Sequence, residues 1–368
     1  MDSSEAWQEH SEKFPARRKV KMRGLPLAAA RRAGTFRGLR PVTPPLPTLP
    51  ELSPSAQAAL AARLGPEMFA HRVAMQRMIE ADPASAEAGP VNLQRIVRRA
   101  RMIARILRAT GLAGWGRRNL LDLRRRENVL RLRGLPAAFH GARLLHLSDL
   151  HVDIDPGIVP AILRAITGWE YDAVVLTGDY RAHTRHEWEN ALAGCRIIAQ
   201  ALPAGIPAFA VLGNHDVLEM VPGLEALGWR VLLNEAVPWR RGGAELWMAG
   251  VDDDHTYRAA DVVRARAAAP REACALLLSH TPATFHAAAA AGFAGVLSGH
   301  THGGQICLPG GVALYCSDTP RWLLRGPWAY RGLSGYTSRG AGASNVAARY
   351  FSPPEVTRHT LQPNDEKG

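Results

Sequence analysis

The sequence lacks a long apolar segment and has little cysteine. No run of about 18 apolar residues occurs, so no transmembrane helix is expected. The four cysteines, Cys195, Cys274, Cys307 and Cys316, form no CxxC pair, which argues against a disulfide scaffold. The N-terminus is polar and contains acidic residues, unlike a secretory signal. We therefore expect a cytoplasmic protein with reduced thiols.

Acidic residues are scarce in the first third of the chain. Residues 1–135 hold 26 Lys and Arg against 11 Asp and Glu, whereas residues 136–368 hold 19 against 22. A basic arm is therefore joined to a nearly neutral body. Such an arm suits an anionic partner, either a membrane surface or nucleic acid.

Changes in composition predict four segments. Residues 1–54 are basic and end in the proline-rich stretch "PVTPPLPTLPELSP", so we expect them to be disordered. Residues 55–135 predict a helical, basic amphipathic region. An α/β domain is expected over 136–362, followed by a short tail over 363–368.

Residues 91–108 carry the clearest helical pattern in the basic arm. Apolar residues recur every three or four positions and form one stripe: Leu93, Ile96, Ala100, Ile103 and Leu107. Thirteen arginines and two acidic residues lie between residues 91 and 135. This pattern favours an anionic membrane surface slightly. Two alternatives remain open, a helix that packs on the protein body and a helix that binds nucleic-acid phosphates.

After residue 140, short apolar runs alternate with helical patterns. Six of these runs predict buried strands: "ARLLHLSD", "DAVVLTGD", "AFAVLGNHD", "ELWMAGVDD", "ACALLLSH" and "AGVLSGHTH". The alternation indicates an α/β fold. Nearly every run ends in Asp, His or Asn-His-Asp. Because α/β proteins build their sites at the carboxyl ends of strands, we expect these side chains to converge.

The strand ends supply three Asp, one Asn and five His: Asp149, His151, Asp179, Asn214, His215, Asp216, His280, His300 and His302. Carboxylate, amide and imidazole ligands without thiolate suit Mn²⁺, Fe or Zn²⁺. The set is too large for one ion and fits two divalent ions that share a bridging carboxylate. Residues i and i+2 of an extended segment point the same way, so His300 and His302 are each expected to reach one ion.

The ordered motifs "DLH", "GD", "GNHD", "SH" and "GHTH" resemble those of the calcineurin-like metallophosphoesterase superfamily. The extensions "GHTHGGQICLP" and "SRGAG" are similar to a bacterial, often membrane-associated subgroup that includes UDP-2,3-diacylglucosamine pyrophosphatases. The resemblance implies an α/β fold of four layers, with two sheets between outer helices. Here the fold would carry a helical, basic N-terminal extension.

The resemblance also implies residue roles. Asp179 corresponds to a carboxylate that bridges two metal ions. The ligands of the first ion would be Asp149, His151 and His302. The ligands of the second ion would be Asn214, His280 and His300. His215 corresponds to the histidine that meets the phosphate and protonates the leaving oxygen, and Asp216 would orient it.

These expectations define an activity. We predict hydrolysis of a phosphodiester or pyrophosphate by a hydroxide that bridges two divalent ions, Mn²⁺ before Fe or Zn²⁺. "GNHD" differs from the "GNHE" of protein Ser/Thr phosphatases, which disfavours a phosphoprotein substrate. The expected substrate is lipid-linked or a nucleotide sugar, similar to UDP-2,3-diacylglucosamine, at the inner face of the cytoplasmic membrane.

Two other functions would also account for parts of the sequence. A nuclease or cyclic-nucleotide phosphodiesterase would use the basic arm to bind nucleic acid. The body is slightly acidic and shows no RNA-binding signature, so a nucleic-acid partner is disfavoured. A non-catalytic scaffold would have lost ligands, yet every expected ligand is present. No protein partner is evident from the sequence.

Overall fold

The predicted strands lie in two six-stranded sheets in the computed structural model, which describes residues 48–81, 93–182, 188–314 and 319–364. The strands in these residues are β1 (Arg124–Leu132), β2 (Arg143–Leu147), β3 (Ala173–Leu176), β4 (Ala208–Ala210), β5 (Trp229–Val231), β6 (Glu235–Arg241), β7 (Ala244–Gly250), β8 (Ala275–Leu278), β9 (Gly295–Ser298), β10 (Cys307–Leu308), β11 (Val312–Ala313), β12 (Gly326–Tyr330), β13 (Leu333–Thr337) and β14 (Glu355–Pro363). The helices are α1 (Pro54–Leu64), α2 (Pro66–Ala81), α3 (Leu93–Ala109), α4 (Ala113–Leu121), α5 (Ile158–Ile166), α6 (Trp188–Ala201), α7 (Met220–Ala226), α8 (Val262–Ala267) and α9 (Phe285–Ala291).

The first sheet has the order β1-β14-β2-β3-β4-β5, and the second has the order β12-β13-β9-β8-β7-β6. Strands β2, β3, β4 and β5 are parallel neighbours, as are β7, β8, β9 and β13. Parallel neighbours place their carboxyl ends at one edge of each sheet. The small β10–β11 hairpin pairs apart from both sheets.

Side chains alternate across each central strand and so divide the core into layers. In β3, Val175 packs between the two sheets, whereas Val174 packs against the outer helices α1, α2 and α5–α7. In β8, Leu276 lies between the sheets, whereas Leu277 faces α8 and α9. The predicted four-layer α/β fold is therefore confirmed.

The basic N-terminal region contributes to this core, in contrast to part of the prediction. Leu49 is 1% exposed and its amide donates to Oε1 of Gln57 at 2.8 Å. Leu60 and Leu64 of α1 are buried in the same cluster as the outer face of the first sheet. Disorder was therefore wrongly predicted for residues 48–54, and the rest of that segment, residues 1–47, lies outside the described residues.

The predicted helical region over 55–135 is also wrong at its end. Residues Arg124–Leu132 form the edge strand β1, which pairs in parallel with β14 from Arg124–Glu355 to Leu132–Pro363. Leu130 and Leu132 are buried between the sheets. The α/β domain therefore begins before residue 136, and β14 extends to Pro363, the first residue of the predicted tail.

Helix α3 differs from α1 and α2 because no side chain described in it is buried. Met102 and Ile106 are 54% and 52% exposed, and Arg98, Arg101, Arg105 and Arg108 are exposed as well. Ile103 and Leu107 of the predicted stripe are half-buried. Among the described helices, none combines the length and the hydropathy needed to cross a bilayer.

Arg72 ties α2 to the carboxyl edges of both sheets. Its side chain is fully buried, and Nε donates to Oδ2 of Asp252 at 3.0 Å. Nη2 donates to the carbonyl of Asp216 at 3.0 Å, and the guanidinium lies 3.3 Å from the centre of the Tyr257 ring. Because Arg72 and Asp252 are both buried, removal of either side chain would leave the other as an uncompensated buried charge.

We expect Arg72→Ala to lower the free energy of unfolding by about 3–5 kcal/mol, since it leaves the Asp252 carboxylate buried without its cation. Denaturant unfolding followed by circular dichroism measures the change. Arg77→Ala, on an exposed position of the same helix, is the matched control and should change stability by about 0.5 kcal/mol or less. Equal effects of the two substitutions would contradict the assigned role of the pair.

Candidate metal centre

The polar residues at the strand ends converge where the carboxyl edges of the two sheets meet. The first sheet supplies the residues after β2, β3 and β4: Asp149, His151, Asp179, Asn214, His215 and Asp216. The second sheet supplies the residues after β8 and β9: His280, His300 and His302. The structure thus brings all nine candidates from the sequence to one region, and their contacts divide them into two groups.

The first group contains Asp149, His151, Asp179 and His302. One ligand atom from each of these buried residues lies within 4.8 Å of the others. Nε2 of His302 is 3.2 Å from Nε2 of His151 and 3.4 Å from Oδ1 of Asp149. Oδ2 of Asp179 is 3.6 Å from Nε2 of His151.

The second group contains Asn214, His280 and His300. Oδ1 of Asn214 is 3.0 Å from Nε2 of His280 and 2.8 Å from Nδ1 of His300. The same oxygen of Asp179 that faces the first group, Oδ2, lies 3.3 Å from Nε2 of His280. One carboxylate oxygen therefore lies between ligand atoms of both groups.

The backbone of this region is unusual. Five of the seven predicted ligands have positive φ angles, from 41° to 68°: Asp149, His151, Asp179, His300 and His302. Non-glycine residues rarely adopt this conformation, and it concentrates at functional sites. The segment from His300 to His302 is consequently a turn, and the prediction that it is extended is wrong. The turn nevertheless leaves His300 in contact with Asn214 of the second group and His302 in contact with His151 of the first.

Glycine is required where these loops touch. At Gly299 an added Cβ would overlap the Ser148 hydroxyl and the Asp149 carboxylate. At Gly340 it would lie 2.6 Å from Cβ of Asp149. The β2 and β9 loops and the loop at residue 340 can therefore approach one another only because these two positions have no side chain.

The imidazoles are oriented with their lone pairs toward the centre. Nδ1 of His151 lies 2.8 Å from the carbonyl of Arg181, and Nδ1 of His280 lies 2.7 Å from the carbonyl of Thr177. A carbonyl accepts only from an N–H, so each Nδ1 carries a proton and each Nε2 is the ring nitrogen that faces the centre. This donor set, with oxygen and imidazole nitrogen and no thiolate, fits divalent metal ions.

The pKa shifts of His151 and His302 support the same conclusion, whereas the Asp179 and Asp149 carboxylates outweigh burial and raise the pKa of His280 well above its ordinary value. Burial lowers the pKa of His151 to about 3 and holds the pKa of His302 well below its ordinary value. Burial would raise the pKa of Asp179, but the neighbouring histidines, His280 above all, outweigh it and hold that pKa well below the usual range. His151 and His302 are thus neutral imidazoles, the form that binds metal.

Asp216 does not orient His215, in contrast to the predicted role. Oδ2 of Asp216 accepts from the amides of Asp179 and Gly213 at 2.8 Å each, and Oδ1 accepts from the amide of Tyr180 at 3.0 Å. Asp216 therefore fixes the backbone that carries the shared carboxylate. The ring of His215 is positioned instead by a contact of 2.8 Å between Nδ1 and the carbonyl of Ala182.

With Nδ1 donating to that carbonyl, Nε2 of His215 faces the centre, 3.9 Å from Oδ2 of Asp179. Its side chain is 13% exposed. One nitrogen of the ring is therefore fixed by the protein, and the other faces the shared carboxylate.

Arg349 is a positioning residue that the sequence patterns did not reveal. It is fully buried; Nη1 donates to the carbonyl of His302 at 2.9 Å and Nε to the carbonyl of Gly342 at 2.9 Å. The amide of Gly342 in turn donates to the carbonyl of Asp149 at 2.7 Å. One guanidinium thus joins the loops that carry two ligands of the first group. No motif marks it, because its partners are main-chain carbonyls.

A chain of buried hydrogen bonds leads away from Asp149 between the sheets. The Ser148 hydroxyl donates to Oδ2 of Asp149 at 2.6 Å, and the Thr177 hydroxyl donates to Ser148 at 2.7 Å. Since Thr177 has one hydroxyl proton, it accepts from Nε2 of His146 at 2.9 Å. Nδ1 of His146 then accepts from Nε2 of His359 at 3.2 Å.

The chain ends where Nδ2 of Asn128 donates to Nδ1 of His359 at 3.0 Å. Every donor in it points toward Asp149, and burial lowers the pKa of His146 to about 3. The two histidines are therefore neutral, with tautomers set by their neighbours. The network holds Oδ2 of Asp149, so that Oδ1 is directed to His302.

Comparisons with known proteins decide the family. The model of the calcineurin-like phosphoesterase family matches residues 142–304. The chain is 30% identical over 238 residues to the uncharacterized metallophosphoesterase YkoQ of Bacillus subtilis (strain 168), a match that covers 62% of this chain and 86% of YkoQ. The chain belongs to the calcineurin-like phosphoesterases. It is therefore a metal-dependent phosphoesterase, as the strand-end motifs predicted.

Two further relatives of this phosphoesterase carry informative names. The UDP-2,3-diacylglucosamine pyrophosphatase LpxG of Chlamydia muridarum (strain MoPn / Nigg) is 26% identical over 296 residues, with 65% of this chain and 88% of LpxG covered. A transmembrane protein with metallophosphoesterase domain from Danio rerio is 30% identical over 193 residues, with 47% of this chain and 43% of the relative covered.

We expect Asp179→Ala to reduce metal binding at both ligand groups, because both use Oδ2 of this carboxylate. Metal content after dialysis, measured by plasma mass spectrometry, should fall below one ion per chain. Glu170→Ala, which removes a carboxylate that is 82% exposed, serves as the control and should leave the metal content unchanged. Two ions retained by Asp179→Ala would contradict a shared ligand.

We expect Thr177→Val to weaken Mn²⁺ binding by about 10- to 100-fold, since it breaks the hydrogen-bond chain that holds Asp149 without changing the shape of the side chain. Calorimetric titration of the metal-free phosphoesterase gives the affinity. Thr177→Ser keeps the hydroxyl and should restore most of the affinity. Equal affinities for the valine and serine variants would show that the chain does not act on the metal centre.

Proposed function

We propose that this phosphoesterase binds two divalent cations and hydrolyses a phosphodiester or pyrophosphate bond in a lipid-linked or nucleotide-sugar substrate at a membrane surface. The observation that carries the proposal is the position of Asp179, whose Oδ2 lies 3.6 Å from Nε2 of His151 and 3.3 Å from Nε2 of His280. A single carboxylate oxygen between two imidazole-containing groups is the arrangement that a two-metal site needs.

The proposed ligands follow from the two groups. Asp149, His151 and His302 would hold one ion, Asn214, His280 and His300 the other, and Asp179 both. When bound, the ions supply Lewis-acid stabilisation of the phosphoryl oxygens and activation of the attacking water. Mn²⁺ is the proposed metal, with Fe and Zn²⁺ as alternatives that the same donors accept.

His215 is proposed to protonate the leaving oxygen. Its Nδ1 is held by the carbonyl of Ala182, so Nε2 faces the centre and is the atom that would donate the proton. A general acid must lie within hydrogen-bond reach of the leaving group. The side chain is 13% exposed, which supports contact between His215 and a substrate phosphate.

An exposed apolar surface supports a substrate with a lipid part. The β10–β11 hairpin follows the His302 loop directly, and Ala313 of β11 touches Gly304. Two of its side chains and that of the next residue are about half exposed or more: Leu308 at 49%, Val312 at 49% and Leu314 at 61%. Apolar side chains clustered beside a polar centre are typical of sites that bind amphiphilic ligands. UDP-2,3-diacylglucosamine, the substrate in the name of LpxG, has this character.

The proposal is tested with the Mn²⁺-loaded chain and a panel of UDP-2,3-diacylglucosamine, phospholipids, cyclic nucleotides and DNA, with products identified by mass spectrometry. We expect cleavage of the pyrophosphate of the acylated nucleotide sugar. Cleavage confined to cyclic nucleotides or DNA would refute the proposed substrate class and favour the nuclease or cyclic-nucleotide phosphodiesterase reading.

The same assay tests the proposed role of His215 as a general acid. His215→Ala should lower turnover of the cleaved substrate by about 10²- to 10⁴-fold, the range for a general acid or base, while its metal content stays normal. Near-normal turnover of the fully metallated variant would remove His215 from the proposed mechanism.

A further inference from the structure

An open cleft of about 530 Å³ lies between α4, the start of β1 and α5, and none of the nine residues of the metal centre lines it. Four arginines line it: Arg117, Arg118, Arg125 and Arg164. The one acidic side chain among the lining residues, Asp122, pairs with Arg124 at 2.5 Å. The cleft therefore carries a concentrated positive charge.

Two of the four arginines are committed to the fold. Arg117 donates from Nε and Nη2 to the two carboxylate oxygens of Asp155, at 2.6 and 2.9 Å. Nε of Arg125 donates to the carbonyl of Ala165 at 2.7 Å. These contacts fix the two side chains as the wall of the cleft.

Arg118 and Arg164 are exposed and have no hydrogen-bond or ion-pair partner within the described part of the chain. Both guanidinium groups are thus available to a ligand. A guanidinium binds phosphate oxygens through two parallel hydrogen bonds, so two of them at one cleft suit a phosphate.

The remaining lining is apolar and identifies the kind of phosphate. Leu121, Leu123, Ala161 and Ala165 complete the cleft. Nucleic-acid phosphates are attached to polar sugars, which gain nothing from aliphatic side chains. A phospholipid presents a phosphate joined to glycerol esters and acyl chains, and it matches both parts of the lining.

Exposed apolar residues lie on α3, in the turn before α4 and on α4, as an interfacial surface would require. Trp115 of α4 is 37% exposed and lies one helical turn before Arg118, so the two side chains share a face. Leu112, in the turn before α4, is 42% exposed, and Met102 and Ile106 of α3 are more than half exposed. Arginines interleaved with Trp, Leu, Ile and Met are the composition of helices that lie on anionic bilayers.

We propose that this cleft, defined by Arg117, Arg118, Arg125 and Arg164, binds the phosphate of an anionic phospholipid and holds α3 and α4 on the bilayer surface. The inference rests on the membrane location in the proposed function and names the residues that would produce it. It assigns to the basic region a lipid site distinct from the metal centre.

The test uses the full-length chain and sedimentation with two kinds of vesicle, pure phosphatidylcholine and a mixture of phosphatidylglycerol with phosphatidylcholine. The wild type should bind the mixed vesicles preferentially, and less as salt increases. The double variant Arg118→Gln/Arg164→Gln should bind them about 25-fold more weakly, with about fivefold lost for each neutralised arginine.

The matched control is Arg196→Gln/Arg230→Gln, which removes the same charge from exposed positions on α6 and on β5, at the opposite edge of the first sheet. It should bind mixed vesicles within about twofold of the wild type. Equal losses in both double variants would reduce the effect to net charge and overturn the site. Loss of duplex-DNA binding with unchanged vesicle binding would overturn it in favour of nucleic acid.

Hydrolysis of a small chromogenic diester by the wild type separates this inference from the proposed function. Hydrolysis without binding to mixed vesicles would overturn the lipid site and leave the catalytic proposal standing. The opposite result is a metal-loaded preparation that binds vesicles in a manner that depends on the arginines and yet hydrolyses no substrate. That result would support the lipid site and refute the proposed function.

Discussion

The arrangement of the molecule depends on one carboxylate that faces imidazoles from both sheets. Oδ2 of Asp179 belongs to a loop of the first sheet and lies 3.3 Å from His280, a residue of the second. A buried carboxylate needs a counter-charge or several donors, and here both are present. Burial raises the pKa of Asp149 to about 6, and burial together with the charge of Asp179 raises that of Asp216 to about 6. The convergence of negative charge is tolerable because histidines surround it and because the donor set is shaped for cations.

The geometry of that carboxylate is maintained by groups that would not themselves touch a ligand. Asp216 accepts three main-chain amides, Arg349 donates to main-chain carbonyls, and the chain from Asn128 to Ser148 terminates on Asp149. Five predicted ligands have positive φ angles, a backbone conformation that is strained in residues other than glycine. This strain works against the arrangement. A strained loop persists only where its surroundings over-determine it. The buried polar groups around the centre supply that constraint.

The sequence alone predicted the residues of the metal centre better than it predicted the buried residues that position them. Short apolar runs that end in Asp and His are local signals, and they identified the strands and the nine candidates from composition and order. Arg72, Arg349 and the pair of His146 and His359 could not be identified in this way, because each has a partner more than 40 residues away in the sequence. The extended geometry assumed for His300 and His302 failed for a related reason. The turn directly follows Gly299, which closely approaches the β2 loop, and no local pattern encodes that long-range contact.

The arginines of the basic N-terminal region fall into two structural groups that its composition does not separate. Arginines of α1 and α2 are used internally: Arg63 pairs with Glu225 and Glu235, and Arg72 reaches the carbonyl of Asp216 beside His215. The arginines of α3 and α4 whose side chains the structure describes are exposed, and both helices also carry exposed apolar residues. Removal of the whole region would therefore remove a support of the metal centre together with the proposed membrane surface, and would also delete the edge strand β1. The two effects can be separated only by substitutions on the surface of α4 and α5, where the side chains have no part in the core.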